Sequence, residues 1–216
     1  MQYIQEQILR SVNSILKNKA AAGHDITHTL RVKDLCLYIA GIEGGDVEIL
    51  EACALLHDIG RAEEIKNPGT DHAFISAQMA PGILKAARFP AHKIESVIYS
   101  IINHRYSLQV TPTTLEARIL QDADRLDISG AIGIAMTFAY SGAYRHMLYH
   151  PDDPMCEKHK PDDNKYAMDH ILSKLIQLPA SMHTNTARRM ANERKAFLLS
   201  FIDQFKQEII FDRNSE

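Results

Sequence analysis

Leu55-Leu56-His57-Asp58-Ile59-Gly60-Arg61 closes an apolar run that begins at Ile49, and it sets an imidazole beside a carboxylate where that run ends. The apolar spacing predicts a buried helix over residues 47–59, capped by Asp46. A carboxylate buried there costs several kcal/mol unless something neutralises it. A divalent cation is one such neutraliser, and His with Asp is a ligand pair suited to transition metals. Two adjacent ligands supply only half a coordination shell, so the other half must come from elsewhere in the chain.

Outward from this helix the apolar period stays helical. Upstream, Ile4, Ile8, Leu9, Val12, Ile15 and Leu16 mark a helix over residues 3–17, closed by Ala20-Ala21-Ala22-Gly23. A second helix opens in His24-Asp25-Ile26-Thr27-His28, with Asp25 or Thr27 as N-cap, and ends at Gly41 and Gly44-Gly45. Downstream, Asn67-Pro68-Gly69 signals a turn, and Asp71 caps a helix over 72–79 that Pro81-Gly82 interrupts. A helix over 91–103 ends at His104, and 105–113 is a loop. A helix over 114–127 runs with hardly a break at Ser129-Gly130 into another over 131–140.

Prolines 151, 154 and 161 and two Asp-Asp pairs make 141–164 a long polar loop, a lid, partner contact or mobile segment. A helix over 166–178 stops before Pro179, and a last one runs from 184 to about 210 with Met190, Phe197, Leu198, Phe201, Ile202 and Phe205 on one face. Nothing alternates polar with β-branched residues. The expectation is an all-α helical bundle in one domain over 1–216: a core at 20–140, the 141–164 loop, and C-terminal helices at 165–210 packing on the core. That last amphipathic helix leaves two packings open, on its own bundle or on a second chain in a homodimer.

At 216 residues, 45% of them hydrophobic, the chain can bury a sizeable core. A formal charge of −3 offers no global attraction to a nucleic-acid polymer. Cys36 and Cys53 lie in apolar helical contexts and form no CxxC, which reads as buried free thiols in a reducing, cytoplasmic setting, with Cys156 exposed in the loop. The first six residues lack a basic region and an apolar stretch, so no signal peptide is expected, and no run approaches the ~20 apolar residues of a membrane span.

Further ligand types stand at helix ends through the first 130 or so residues: His28, His72, His104 and Asp124 join His57 and Asp58. Each has an ordinary alternative. A helix-end histidine is commonly a cap or surface residue. Asp122, Asp124 and Asp127 could form a solvated acidic face paired with Arg118 and Arg125. His24 and His28 are spaced for a metal clip, but His24 precedes the expected helix start.

As an ordered set these residues resemble a known family. His28-x-x-Arg31-Val32, the Leu55–Gly60 segment around His57-Asp58, and Gln121-Asp122-Ala123-Asp124-Arg125-Leu126 look like the three signatures of the HD superfamily of metal-dependent phosphohydrolases. Ala131-Ile132-Gly133-Ile134-Ala135, Lys174-Leu175, Met182-His183-Thr184 and Arg194 resemble a stand-alone subgroup of that superfamily. The resemblance implies an all-α HD fold, with His28, His57, Asp58 and Asp124 as ligands of a core metal. His72 and His104 match the further histidines of two-metal members, in which Asp58 would bridge. The cofactor would be one or two divalent ions, Mn, Fe, Ni, Co or Mg, by ligand type. Such an ion lowers the pKa of a bound water to ~7 in favourable cases and withdraws charge from a phosphoryl group.

The implied substrate is a small phosphorylated molecule, a nucleotide above all. The chain lacks the Gly-Tyr-Pro signature of the cyclic-di-nucleotide branch. Arg31, Arg61, Arg105 and Lys174 are the substrate-binding candidates, Arg61 and Arg105 as phosphate clamps. Asp58, Arg61 and Asp127 are the catalytic candidates, Asp127 either orienting a ligand or accepting a proton. Asp25 could act through His28, and His24 or His183 could protonate a leaving group. A regulatory, nucleotide-sensing protein that keeps the metal without turnover is the alternative, and an α-helical interaction protein the third.

Overall fold

Aspartates start three helices of the first half. In the computed structural model, which describes residues 2–17, 25–105 and 111–209, Asp25, Asp46 and Asp71 each hold extended backbone and accept two N–H groups of the turn that follows. The helices are α1 (Gln2–Leu16), α2 (Ile26–Glu43), α3 (Val47–Leu56), α4 (Arg61–Lys66), α5 (His72–Ala86), α6 (Ile94–Ile102), α7 (Leu115–Asp127), α8 (Gly130–Ala143), α9 (Ala167–Ser173) and α10 (Asn185–Ile209). Among the described residues the only extended pairing is an isolated parallel bridge between Met147 and Tyr166. The fold is all-α. The expected close of α1 at Ala20–Gly23, His24, and part of the 105–113 loop lie outside the described residues.

The chain divides into two compact units, Met1–Asp127 with His183–Ala187, and Ile128–Met182 with Arg188–Glu216. In the first, α3 packs against α1, α2, α6 and α7, while α5 packs on α6. Val32, Cys36 and Ile39 of α2, Leu50, Cys53 and Leu56 of α3, Val97 and Ile101 of α6, and Ile119, Leu120 and Leu126 of α7 are fully buried. This packing gathers the start of α2, the end of α3, the start of α5, the end of α6 and the last turns of α7, where the candidate ligands stand.

The second unit holds α8, the 144–166 segment, α9 and most of α10. Met147 donates to Lys165 O and accepts from Ala167, so both ends of the long segment are tied together. Within it Asp153 accepts N–H groups from Glu157, Lys158 and His159.

Several element boundaries differ from expectation. α3 stops at Leu56 rather than 59, because His57 turns its Nδ1 back onto Ala54 O at 2.7 Å. α4 is a helix where only a turn was marked. Gly41 lies inside α2, which ends at Gly44 with φ +87. α5 runs through Pro81 to Ala86. The missing N–H costs about 3 kcal/mol, but Ala73, Ala77, Ala80 and Leu84 form one buried stripe across the proline, and that packing outweighs it. Residues 91–93 are a 3-10 turn ahead of α6. The helix expected over 166–178 ends at Ser173 and tightens to a 3-10 segment, Leu175–Ser181. Pro179 cannot supply the α-type bond and disfavours α geometry at Leu178. Cys156 is half-buried rather than exposed.

Gly60 shows why a glycine follows the doublet. A Cβ there would lie 2.5 Å from His72 O and 2.8 Å from Ser76 N. Gly60 N–H also donates to Ser76 Oγ at 2.9 Å. Gly60→Ala is therefore expected to push α5, which carries His72, away from the Asp58 turn and to destabilise by roughly 1–3 kcal/mol. Urea unfolding checks this, an unchanged midpoint being the contrary result.

Candidate metal centre

Each candidate histidine comes from a helix end, and each is oriented the same way. Nδ1 of His28 bonds Asp127 Oδ2 at 2.7 Å. Nδ1 of His57 faces Ala54 O at 2.7 Å, and that of His104 faces Ile101 O at 2.6 Å. Nδ1 of His72 meets Glu64 Oε2 at 3.0 Å. A carbonyl or carboxylate only accepts, so the Nδ1 of each ring carries the proton, and a neutral ring presents its Nε2 lone pair inward. Metal-binding histidines are held in this way.

The inward nitrogens converge on Asp58. Its Oδ2 lies 3.6 Å from His28 Nε2 and 3.7 Å from His57 Nε2. Its Oδ1 lies 3.4 Å from His72 Nε2 and 3.7 Å from His104 Nε2. Asp124 Oδ1 completes the first group, 3.6 Å from His28 Nε2 and 3.8 Å from His57 Nε2. His28 and His57 bring their Nε2 atoms within 3.2 Å of each other. Neighbouring donors around an ion with bonds of about 2.1 Å stand roughly 3–3.5 Å apart. The spacing and donor types fit divalent ions, and the buried Nε2 of His72 makes no hydrogen bond among the described residues.

Electrostatics divide the rings: without an ion, burial lowers His57 and His72, while the carboxylates beside His28 and His104 outweigh burial and raise both. Burial, with Coulombic repulsion from His104 and His28, pulls His57 down to about 4, so it is neutral near pH 7. Burial, with the Arg61 charge beside it, also lowers His72. Burial disfavours charge on His28 as well, but the Asp127 and Asp58 carboxylates outweigh it and lift that ring to about 10. Burial likewise works against an ionised Asp124, and the surrounding imidazoles reverse that and hold its pKa below the usual value.

The remaining candidates have distinct surroundings. Asp127 is buried, with Oδ1 on Arg31 Nε at 2.7 Å and Oδ2 shared by Arg31 Nη2 at 2.9 Å and His28. Arg31, a substrate-binding candidate, thus spends its fork on Asp127. Arg61 Nε lies 2.6 Å from Asp58 Oδ2. Arg105 Nη1 sits between Glu64 Oε1 at 3.2 Å and Asp71 Oδ2 at 3.1 Å. Lys174 belongs to the second unit, where it pairs with Asp163. Asp25 accepts the backbone N–H of His28 at 3.1 Å. His183 Nε2 faces Gln121 Oε1 at 2.6 Å.

Two residues carry more than their sequence context suggests. Glu64 orients His72 and holds Arg105, yet it looks like one more charge in an exposed helix. Asp122, readable as part of a solvated acidic face, is fully buried and accepts the N–H groups of His183 and Thr184, each at 2.8 Å. Neither carries a periodic or motif signal beyond its neighbours.

A family model described as HD domain matches residues 25–129. The chain is 35% identical over 206 residues to the uncharacterized protein YpgQ of Bacillus subtilis, spanning 94% of this chain and 93% of that protein. Among solved structures, Bacillus subtilis YpgQ in complex with ADP aligns with a TM-score of 0.73 at 33% identity, covering 96% of each chain. A HD-superfamily hydrolase from Bacillus thuringiensis aligns with a TM-score of 0.73 at 31% identity, covering 96% of this chain and 97% of that one.

Proposed function

Because the chain belongs to the HD-domain family, we propose that it is a metal-dependent phosphohydrolase that cleaves a phosphoester or phosphoanhydride bond of a nucleotide. The observation that carries this reading is the common orientation of the candidate histidines, with Nδ1 held outward and Nε2 aimed at the two oxygens of Asp58. His28, His57, Asp58 and Asp124 would hold one divalent ion, and His72 and His104 a second that shares Asp58. Mn, Fe, Ni, Co and Mg all suit such a nitrogen and oxygen donor set. When bound, the ion supplies an acidified water and electrophilic assistance at phosphorus.

The protein's own groups position and neutralise. Asp127, locked by Arg31, keeps the His28 ring turned so that Nε2 faces the ligands. Glu64 does the same for His72. Arg61 and Arg105 are the cations assigned to the substrate phosphates; a guanidinium can exchange a carboxylate partner for a phosphate with the same two-pronged geometry. The nucleotide as substrate is supported by the ADP bound to Bacillus subtilis YpgQ. The free cysteines suit a reducing compartment, and no helix among the described residues is long and apolar enough to cross a membrane.

A panel of nucleoside mono-, di- and triphosphates, cyclic nucleotides and simple phosphoesters with Mn²⁺, scoring phosphate and pyrophosphate separately, tests the proposal. Release from at least one nucleotide is expected. Stoichiometric metal binding with no release from any panel member would favour the nucleotide-sensing alternative instead.

A further inference from the structure

The second unit carries a group of ligand types unrelated to the Asp58 centre. Cys156, His159 and Asp169 each offer one donor atom, and these atoms lie within 4.8 Å of one another. His159 is held as a metal-binding histidine would be: its Nδ1 bonds Asp153 Oδ2 at 2.6 Å, and Asp153 is itself fixed by backbone N–H groups of the same loop. That bond turns Nε2 toward Asp169, whose Oδ2 is 2.8 Å away. Asp169 is fully buried in the first turn of α9, and its Oδ1 has no hydrogen-bond partner among the described residues. A buried carboxylate with an unsatisfied oxygen is costly, and it faces a thiol and an imidazole. Cys156 holds a left-handed backbone, φ +52, which is uncommon for a residue other than glycine.

We propose that Cys156, His159 and Asp169 form a second cation site, for a thiophilic divalent ion of the zinc class, that pins the 144–166 segment to the start of α9. Sulfur, nitrogen and oxygen donors bind such an ion at about 2.0–2.3 Å, which places neighbouring donors roughly 3.3–3.7 Å apart, within a small side-chain adjustment of what is seen. On binding, the Cys156 thiol proton and the Nε2 proton of His159 leave to water. The ligand set starts as one carboxylate, one imidazolium and one thiol. It ends as a dication with one carboxylate, one thiolate and one neutral imidazole, so its net charge is unchanged. The competing arrangement is an imidazolium clamped between Asp153 and Asp169 with no ion. That clamp satisfies both nitrogens of His159 and leaves the Cys156 thiol only a long bond to His159 O at 3.6 Å, but Asp169 Oδ1 stays unpartnered among the described residues.

Cobalt substitution of the full chain separates the two. The Asp58 centre offers only nitrogen and oxygen donors, so a thiolate-to-Co²⁺ charge-transfer band in the near ultraviolet reports the loop site alone, whatever the fate of the hydrolase reading. The expected result is that band in the wild type, its loss in both Cys156→Ser and His159→Gln, and one equivalent less Zn²⁺ bound by each variant. No thiolate band in wild-type protein saturated with Co²⁺, or a band that survives Cys156→Ser, overturns the proposal.

Discussion

On the proposed reading, Asp58→Ala is expected to lower nucleotide hydrolysis by ~10³-fold or more, about 4 kcal/mol of transition-state stabilisation, and to abolish tight metal binding at the centre. Asp58 faces both histidine pairs, with Oδ2 toward His28 and His57 and Oδ1 toward His72 and His104. Without it the four inward nitrogens keep Asp124 as the one carboxylate among the assigned ligands. The fold should survive. The core of α3 is apolar, its start is capped by Asp46, and the Arg61 side chain, 23% exposed, can turn to water when its carboxylate partner is lost. Phosphate release, metal content and far-ultraviolet circular dichroism measured together check this. Turnover retained in the helical variant would remove Asp58 from the mechanism.

Asp127→Asn is expected to weaken Mn²⁺ binding by about 10–100-fold, the usual cost of losing a carboxylate that orients a metal-binding histidine. The amide is nearly isosteric but has one acceptor oxygen where the carboxylate has two. It cannot both accept from His28 Nδ1 and take the paired bonds from Arg31. The His28 ring then loses the contact that fixes its tautomer. Competition titration with a chelating dye measures the affinity. An unchanged affinity together with a displaced basic limb in the pH–rate profile would instead make Asp127 a proton acceptor, the other role open to it.

The positions of the candidate ligands were largely legible because the helices that carry them announce themselves. Asp25, Asp46 and Asp71 cap α2, α3 and α5 just where polar residues precede an apolar period. Helix ends are also where short polar side chains can reach a shared point. The boundaries that shifted did so under influences that periodicity does not encode. Pro81 sits inside α5 because a stripe of alanines packs across it, and the chain near Pro179 tightens to a 3-10 segment. Arg31 is a substrate-binding candidate from its place in the motif segment around His28, but Asp127, 96 residues away in sequence, takes its guanidinium. Glu64 and Asp122 gave no sign of their partners for the same reason: His72, His183 and Thr184 reach them through the packing of separate segments.

The sequence by itself determined that this chain is helical and that His28, His57-Asp58 and Asp124 recur in an order that one metal centre can use. Helical period and cap chemistry are local, and ligand type sits in the side chain. Only the tertiary structure decided that the Leu55–Arg61 turn brings one carboxylate between two histidine pairs, and that each ring is fixed through Nδ1. Direction and distance between side chains from five helices are properties of packing, which no linear spacing contains.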